Sequence, residues 1–137
     1  MIRARSQGRE AALKALYQLD LSETLDGSEE APIRDDDVTI EEARAFCERL
    51  VAGVRGVRAD LDATIQEIAS NWTLARMAVI DRNILRIGAY ELLHCPDVPP
   101  AVAINESILL AQKYSSKESG GFVNGILDTL RTRSGKE

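Results

Sequence analysis

The apolar residues of this chain repeat at the period of an α-helix in every long segment, and nowhere do they alternate as a half-buried strand requires. The clearest case is Ala43, Phe46, Cys47, Leu50, Val51 and Val54, which form one stripe along a single helix. That helix opens with Thr39-x-x-Glu42, a capping box whose two side chains each satisfy a free backbone N–H of the first turn. Gly56 suits its end, where a left-handed residue often closes a helix. A helix of this length does not hold itself together in water and needs neighbours against which to bury its stripe. The pattern therefore predicts an all-α fold, a compact bundle of helices.

The other segments supply those neighbours. A first helix is expected over Gln7 to Leu21, with Ala12, Leu13, Leu16 and Leu19 on one face. Gly8 weakens its start by about 1 kcal/mol relative to Ala. Residues 22–37 are polar and acidic, contain Gly27 and Pro32, and read as a long mobile loop. A third helix carries Val57, Leu61, Ile65 and Ile68 and runs out near Asn71 and Trp72. Thr73 is placed to cap a fourth, with Met77, Ile80, Ile84 and Ile87 as its stripe, widened by Leu85. The prolines between Cys95 and Pro100 make a turn and then suit the first position of a fifth helix, whose face is Ala101, Ile104, Ile108 and Ala111. Ser115 to Gly121 breaks that helix, and the last one carries Phe122, Val123, Ile126 and Leu130.

Two polar insertions interrupt this pattern, Asn105-Glu106 and Asn124-Gly125. Asn-Gly is usually a hairpin signal. The apolar spacing around it is helical, so Gly125 is expected to permit close approach of another helix. Asn105 and Glu106 are expected to bond to backbone or to an arginine across the bundle.

With 137 residues, 45% of them apolar, the chain is long enough for one domain with a core that needs neither disulfides nor metal. Its two cysteines, Cys47 and Cys95, make no disulfide framework, which points to a reducing cytoplasm. The Met1-to-Arg5 start lacks the apolar run of a secretory signal, and no segment approaches the ~18 apolar residues of a membrane helix.

Catalytic chemistry finds no foothold. The single histidine, His94, adjoins Cys95, and neighbours in sequence do not face each other on a helix. One His and two distant Cys give no zinc-ligand spacing, and phosphate-binding loops of the Walker or dinucleotide type are absent. Gly53-Val54-Arg55-Gly56 matches a GxxG pattern, but the RNA-binding domain that uses it is built with strands. The carboxylates Glu41-Glu42 and Asp35-Asp36-Asp37 belong to a solvated acidic run. No catalytic residue, metal site or cofactor is expected.

Charge is more informative. The net charge is −5, yet residues 20–48 hold eleven of the 22 acids and only two of the 17 bases. The remainder therefore carries fifteen bases against eleven acids, and local charge is what a polyanion meets. Arg3, Arg5, Arg9 and Lys14 cluster near the N-terminus against one acid, Glu10. From charge alone this is either an ordinary charged tail or a basic arm that grips phosphates.

Several motifs together carry a resemblance. Arg9-Glu10-x-Ala12-Leu13-x-Ala15-Leu16-Tyr17-Gln18 is similar to the first helix of the NusB family of bacterial transcription antitermination factors. Asp81-Arg82-Asn83-Ile84-Leu85-Arg86, Tyr90-Glu91-Leu92, Asp97-Val98-Pro99, Val102-Ala103-Ile104-Asn105-Glu106 and Phe122-Val123-Asn124-Gly125-Ile126-Leu127-Asp128 resemble that family in the same order. The resemblance covers nearly the whole chain except the 22–37 loop. It implies six to seven helices in two packed three-helix sub-bundles and no enzymatic activity. It also implies binding of single-stranded boxA RNA in nascent ribosomal transcripts together with the ribosomal protein NusE, within an RNA polymerase antitermination complex.

By the same resemblance, the RNA face combines Arg3, Arg5 and Arg9 with Tyr114, Glu118, Ser119 and Phe122, while Tyr17 and Asp81 fall where the family meets NusE. Tyr114 and Phe122 suit stacking on unpaired bases, although Phe122 fits the core equally well. Ser119 and the amides of a helix start suit a phosphate. Glu118 suits a base amino group. The arm departs from the family: Ser6-Gln7-Gly8 stands where members commonly carry a dense arginine tract. Weaker RNA binding alone and stronger dependence on NusE are the expectation. A helical module of this kind also precedes an rRNA cytosine methyltransferase; with no cofactor-binding domain within the 137 residues, that reading is not expected unless the chain is a fragment. The competing expectation is a helical scaffold or homodimer that binds protein only.

Overall fold

The computed structural model describes residues 2–25 and 40–135. Among these it contains six α-helices: α1 Ile2–Leu25, α2 Glu41–Gly56, α3 Arg58–Ile68, α4 Val79–His94, α5 Pro100–Tyr114 and α6 Lys117–Arg133. A 3-10 turn, Leu74–Arg76, leads into α4. The all-α expectation is met.

The stripe read from α2 is the stripe that is buried, Ala43, Phe46, Cys47, Leu50, Val51 and Val54. It packs against α1, whose Ala12, Leu13, Leu16 and Leu19 are likewise buried. In the other half α5 packs on α6. Helix α4 lies between the halves and touches all five other helices. Its apolar residues point to almost every side, with Ile84, Leu85, Ile87, Ala89 and Leu92 all buried, as a central helix demands. The division into halves is incomplete, because α3 packs on α4 and α6 as well as on α2.

Several local expectations change. Helix α1 begins at Ile2, well before Gln7, and continues through residues 22–25. The rest of the acidic 22–37 stretch lies outside the described residues, as does Thr39 of the capping box; α2 starts after Ile40, which makes no side-chain cap. Gly8 is not a weak start but a contact point. A Cβ there would lie 2.7 Å from the Ala43 carbonyl oxygen and 3.2 Å from the Phe46 Cβ, so α1 and α2 approach each other through a side chain that is missing. Gly125 does the opposite of what was expected: it is exposed, and a Cβ there meets nothing. Thr73 precedes the 3-10 turn, and α4 opens later, at Val79. On α5 the buried residues are Ala103, Ile104, Ser107, Leu110 and Ala111, while Ala101 is exposed.

Because α4 is enclosed, its polar residues must find partners inside the protein. Asp20 of α1 meets three of them. Arg82 donates to it through Nε at 2.7 Å and Nη2 at 2.6 Å, Arg86 through Nη1 at 2.9 Å and Asn83 through Nδ2 at 2.9 Å. Arg86 also forks onto Asp62 of α3, at 2.7 and 3.1 Å. Three helices are thereby tied by one polar network.

Burial pushes the Asp20 carboxyl up, but hydrogen bonds from Arg82 and Asn83 and the charges of Arg86 and Arg82 outweigh it and hold it at about 2. A carboxyl depressed on folding contributes stability that is complete above its unfolded value near pH 4 and is lost as pH falls towards the folded value. Urea midpoints measured from pH 7 to pH 2 should therefore fall less steeply between about pH 4 and pH 2 for Asp20→Asn than for wild type. The variant is expected to be the less stable protein at pH 7, since two arginines lose their counter-charge.

Candidate nucleic-acid interface

Residues expected at a binding surface reach very different places. Arg9 is buried, 2% exposed, and belongs to the interior. Its Nε donates to both oxygens of Glu91 at 3.0 Å and its Nη2 to Oε1 at 2.8 Å, which fixes α1 to α4. Glu106 on α5 stands on the far side of the same guanidinium at 3.5 Å and accepts from the Ser6 hydroxyl at 2.6 Å. The expectation that Glu106 serves an arginine across the bundle holds, while Asn105 beside it is exposed. Burial raises the Glu91 carboxyl, and the bonds and charge of Arg9 oppose that rise. An arginine so enclosed does not meet solvent phosphates, which corrects its assignment to the RNA face.

Nor is the N-terminal segment a mobile arm. From Ile2 onward it is α1. Arg3 lies on that helix, and its side chain falls outside the described residues. Arg5 is about a third exposed, donates to Asp97 at 2.8 Å and lies 4.6 Å from the Phe46 ring centroid.

The second group gathers around the α5–α6 junction. Tyr114, half-buried at the end of α5, donates its hydroxyl to Glu10 of α1, which also accepts from Lys113 at 3.0 Å. Burial pushes Glu10 up, but the bonds from Tyr114 and Lys113 hold it below the usual carboxylate range. Ser116 caps α6, its hydroxyl accepting from the Ser119 N–H at 3.1 Å. Ser119 is buried in that first turn and donates its hydroxyl to Asp81 at 3.0 Å. Thus Ser119 and Asp81, expected to face different partners, are joined to each other. Glu118 is exposed, and Tyr17 is half-buried on α1.

Phe122 is neither wholly core nor wholly surface. It lines an open groove of about 340 Å³ between α6 and the end of α3, with Trp72, Ile68, Ile126, Gly121 and Gly125. Trp72 is 54% exposed there. Sequence reasoning missed this groove, and it missed Arg49. Arg49 forks onto Asp97 at 2.6 and 2.9 Å and shares the Phe46 ring with Arg5 and Arg9, its own carbon lying 5.7 Å from the centroid. Its position three residues after Phe46, on the same side of α2, was the signal available.

The described residues contain no cluster of His, Cys, Asp and Glu able to hold a metal, and none of their helices is long and apolar enough to cross a membrane. Fold and site together define a helical module whose polar residues knit helices and line a surface.

Comparison with known proteins places that module. The NusB family model matches residues 6–132, and the chain belongs to the NusB family. It is 41% identical to the transcription antitermination protein NusB of Sorangium cellulosum over 133 residues, 97% of this chain and 95% of that one. A T. maritima NusB structure superposes with a TM-score of 0.81 at 34% identity, covering 93% of this chain and 90% of that one. A crystal structure of the antitermination factors NusB and NusE in complex with double-stranded RNA shares the fold, with a TM-score of 0.84 at 24% identity, covering 97% and 99%. Members of the family are regulators and not enzymes.

The Arg9–Glu91 pair gives a sharp stability test. Glu91→Ala strands a buried guanidinium and should cost about 3–5 kcal/mol in denaturant unfolding. Replacing both partners, as in R9M/E91L, should cost much less. Equal losses in the two proteins would show that packing, not charge, is what matters there.

Proposed function

We propose that this protein binds boxA RNA in nascent ribosomal transcripts together with the ribosomal protein NusE, and so promotes read-through by RNA polymerase and supports rRNA biogenesis in the cytoplasm. What carries the reading is the family match over residues 6–132, which takes in α1 from Ser6 onward and the α5–α6 junction. The structure of NusB with NusE and RNA, alike in fold, supports the kinds of partner.

On this reading the RNA face runs from Arg3 and Arg5 on α1 to Tyr114, Glu118, Ser119 and Phe122 around the α6 start. Arginines supply salt-dependent affinity for phosphates. Phe122, half-buried beside an exposed Trp72, suits an unpaired base stacking at the groove. Tyr17 and Asp81 are assigned to NusE. Arg9 supports this face from beneath by fixing α1. With Arg9 buried, even fewer arginines reach RNA than the sequence suggests, which strengthens the expectation that NusE is needed for tight binding.

A protein-only scaffold or homodimer has one observation in its favour. Val102 and Leu109, two turns apart on α5, are exposed by 39% and 50%. Equilibrium binding of boxA RNA, its duplex form and a scrambled strand, each with and without NusE, separates the readings. The expected result is preference for single-stranded boxA, sharpened by NusE. Equal binding of boxA and scrambled RNA in both conditions would favour the scaffold. In R3A/R5A, the slope of log affinity against log salt should be shallower by about 1–1.5.

A further inference from the structure

Arg49 stands apart from the residues of the proposed RNA face, yet the structure sets it beside Arg5. The two reach the same carboxylate from different helices. Arg5 Nη2 donates to Asp97 Oδ2 at 2.8 Å, and Arg49 donates from Nη1 to Oδ2 at 2.9 Å and from Nη2 to Oδ1 at 2.6 Å. Both lie over the buried Phe46 ring, at 4.6 and 5.7 Å, where the negative face of the ring favours cations. The side chains of Arg5 and Arg49 are 35% and 36% exposed. Two guanidinium groups on one carboxylate leave an excess positive charge at the surface. Arg5 Nε and Nη1 and Arg49 Nε have no hydrogen-bond partner among the described residues.

The place matters as much as the charge. Asp97 lies three residues before α5, and Tyr114 ends it, so the arginine pair and the α6 start flank the two ends of one helix about 22 Å long at 1.5 Å per residue. Contacts of α1 with the Asp97 turn and with α5 join them: Arg5 to Asp97, Ser6 and Arg9 to Glu106, and Glu10 to Lys113 and Tyr114. The carboxylates along this seam are each occupied by a cation or a hydroxyl, so none meets an approaching polyanion unpaired. Several nucleotides of a single strand would span it.

We propose that Arg49, paired with Arg5 over Phe46, is a phosphate-binding residue of the RNA surface, with Asp97 as the counter-charge that holds both guanidinium forks in place. The site takes a phosphodiester of a single-stranded nucleic acid. It supplies from α2 part of the positive charge that the sparse N-terminal arginines lack. This inference rests on the RNA-binding reading above. Guanidinium groups already held by a carboxylate and a ring lose little freedom on binding phosphate, and their planar forks match it.

Salt titrations of boxA RNA binding with NusE present test the site. Arg49→Ala should make the slope of log affinity against log salt shallower by about 0.7, the share of one phosphate on a single strand. R5A/R49A should lose about twice that, and R49K should keep the wild-type slope. Circular dichroism checks folding. If R49A does not fold, Arg49→Gln takes its place, since it can still donate to Asp97 but carries no charge. A folded R49A or R49Q protein with the wild-type slope, beside wild type that binds boxA, overturns this site alone and leaves a purely structural Arg49–Asp97 pair. Wild type that does not distinguish boxA from scrambled RNA overturns the RNA reading and this site with it.

Discussion

Helices α1 and α4 are joined at two points by ion pairs of opposite sense, and the rest of the bundle is arranged around them. Near its start α1 offers Arg9 to Glu91, and eleven residues on it offers Asp20 to Arg82 and Arg86. The pairs are about 16 Å apart along α1 at 1.5 Å per residue. Only an antiparallel arrangement brings opposite charges together at both ends. Turned the other way, the same helices would set Arg9 against two arginines and Asp20 against a glutamate. Buried pairs of this kind contribute little net stability, because desolvation offsets attraction, but a mismatched pair costs several kcal/mol. The two pairs thus select one orientation and one register for a helix that would otherwise pack on any side. Asp62 then draws α3 to the same arginine, and Glu106 brings α5 to the same Arg9.

Much of this architecture is legible in the sequence. The period of apolar residues places all six helices, and the buried side of α2 is read correctly because charges fill its other side. Helix α5 is harder. Ala101, Val102, Ala103, Ile104, Ile108, Leu109, Leu110 and Ala111 surround it, so periodicity does not choose which of them faces α4 and α6. Its buried face is set by tertiary packing, with Ala103 and Ser107 inward and Val102 and Leu109 outward. Gly8 and Gly125 fail for the same reason in opposite directions. A glycine's local cost is visible in sequence, but whether another helix fills the space above it is not.

The candidate site divides along similar lines. Tyr114, Ser119 and Phe122 fall around the α5–α6 junction, as their proximity in the chain suggests, but their side chains reach Glu10 of α1, Asp81 of α4 and the groove at the end of α3 respectively. Arg9 does not join them, because the reading from charge assumed that an arginine near the N-terminus faces water. The signal against that assumption was present: Glu91 sits among Tyr90, Leu92 and Leu93, on a helix with apolar residues on nearly all sides, and such a carboxylate requires a buried cation. The meeting of Arg5, Arg49, Phe46 and Asp97 draws on three separate segments of the chain, and no local motif announces it.

The early start of α1 alters how scarcity of arginine should be weighed. A disordered arm must surrender backbone freedom on meeting its target, at about 1–2 kcal/mol for each residue fixed. Here that entropy has already been spent in folding, with Ala4 packed into the core and Gly8 against α2. A few cations fixed at helical spacing can therefore retain most of their attraction, whereas a longer, looser tract gives part of it back. Such a surface is also less adaptable, favouring one path for a bound strand over many.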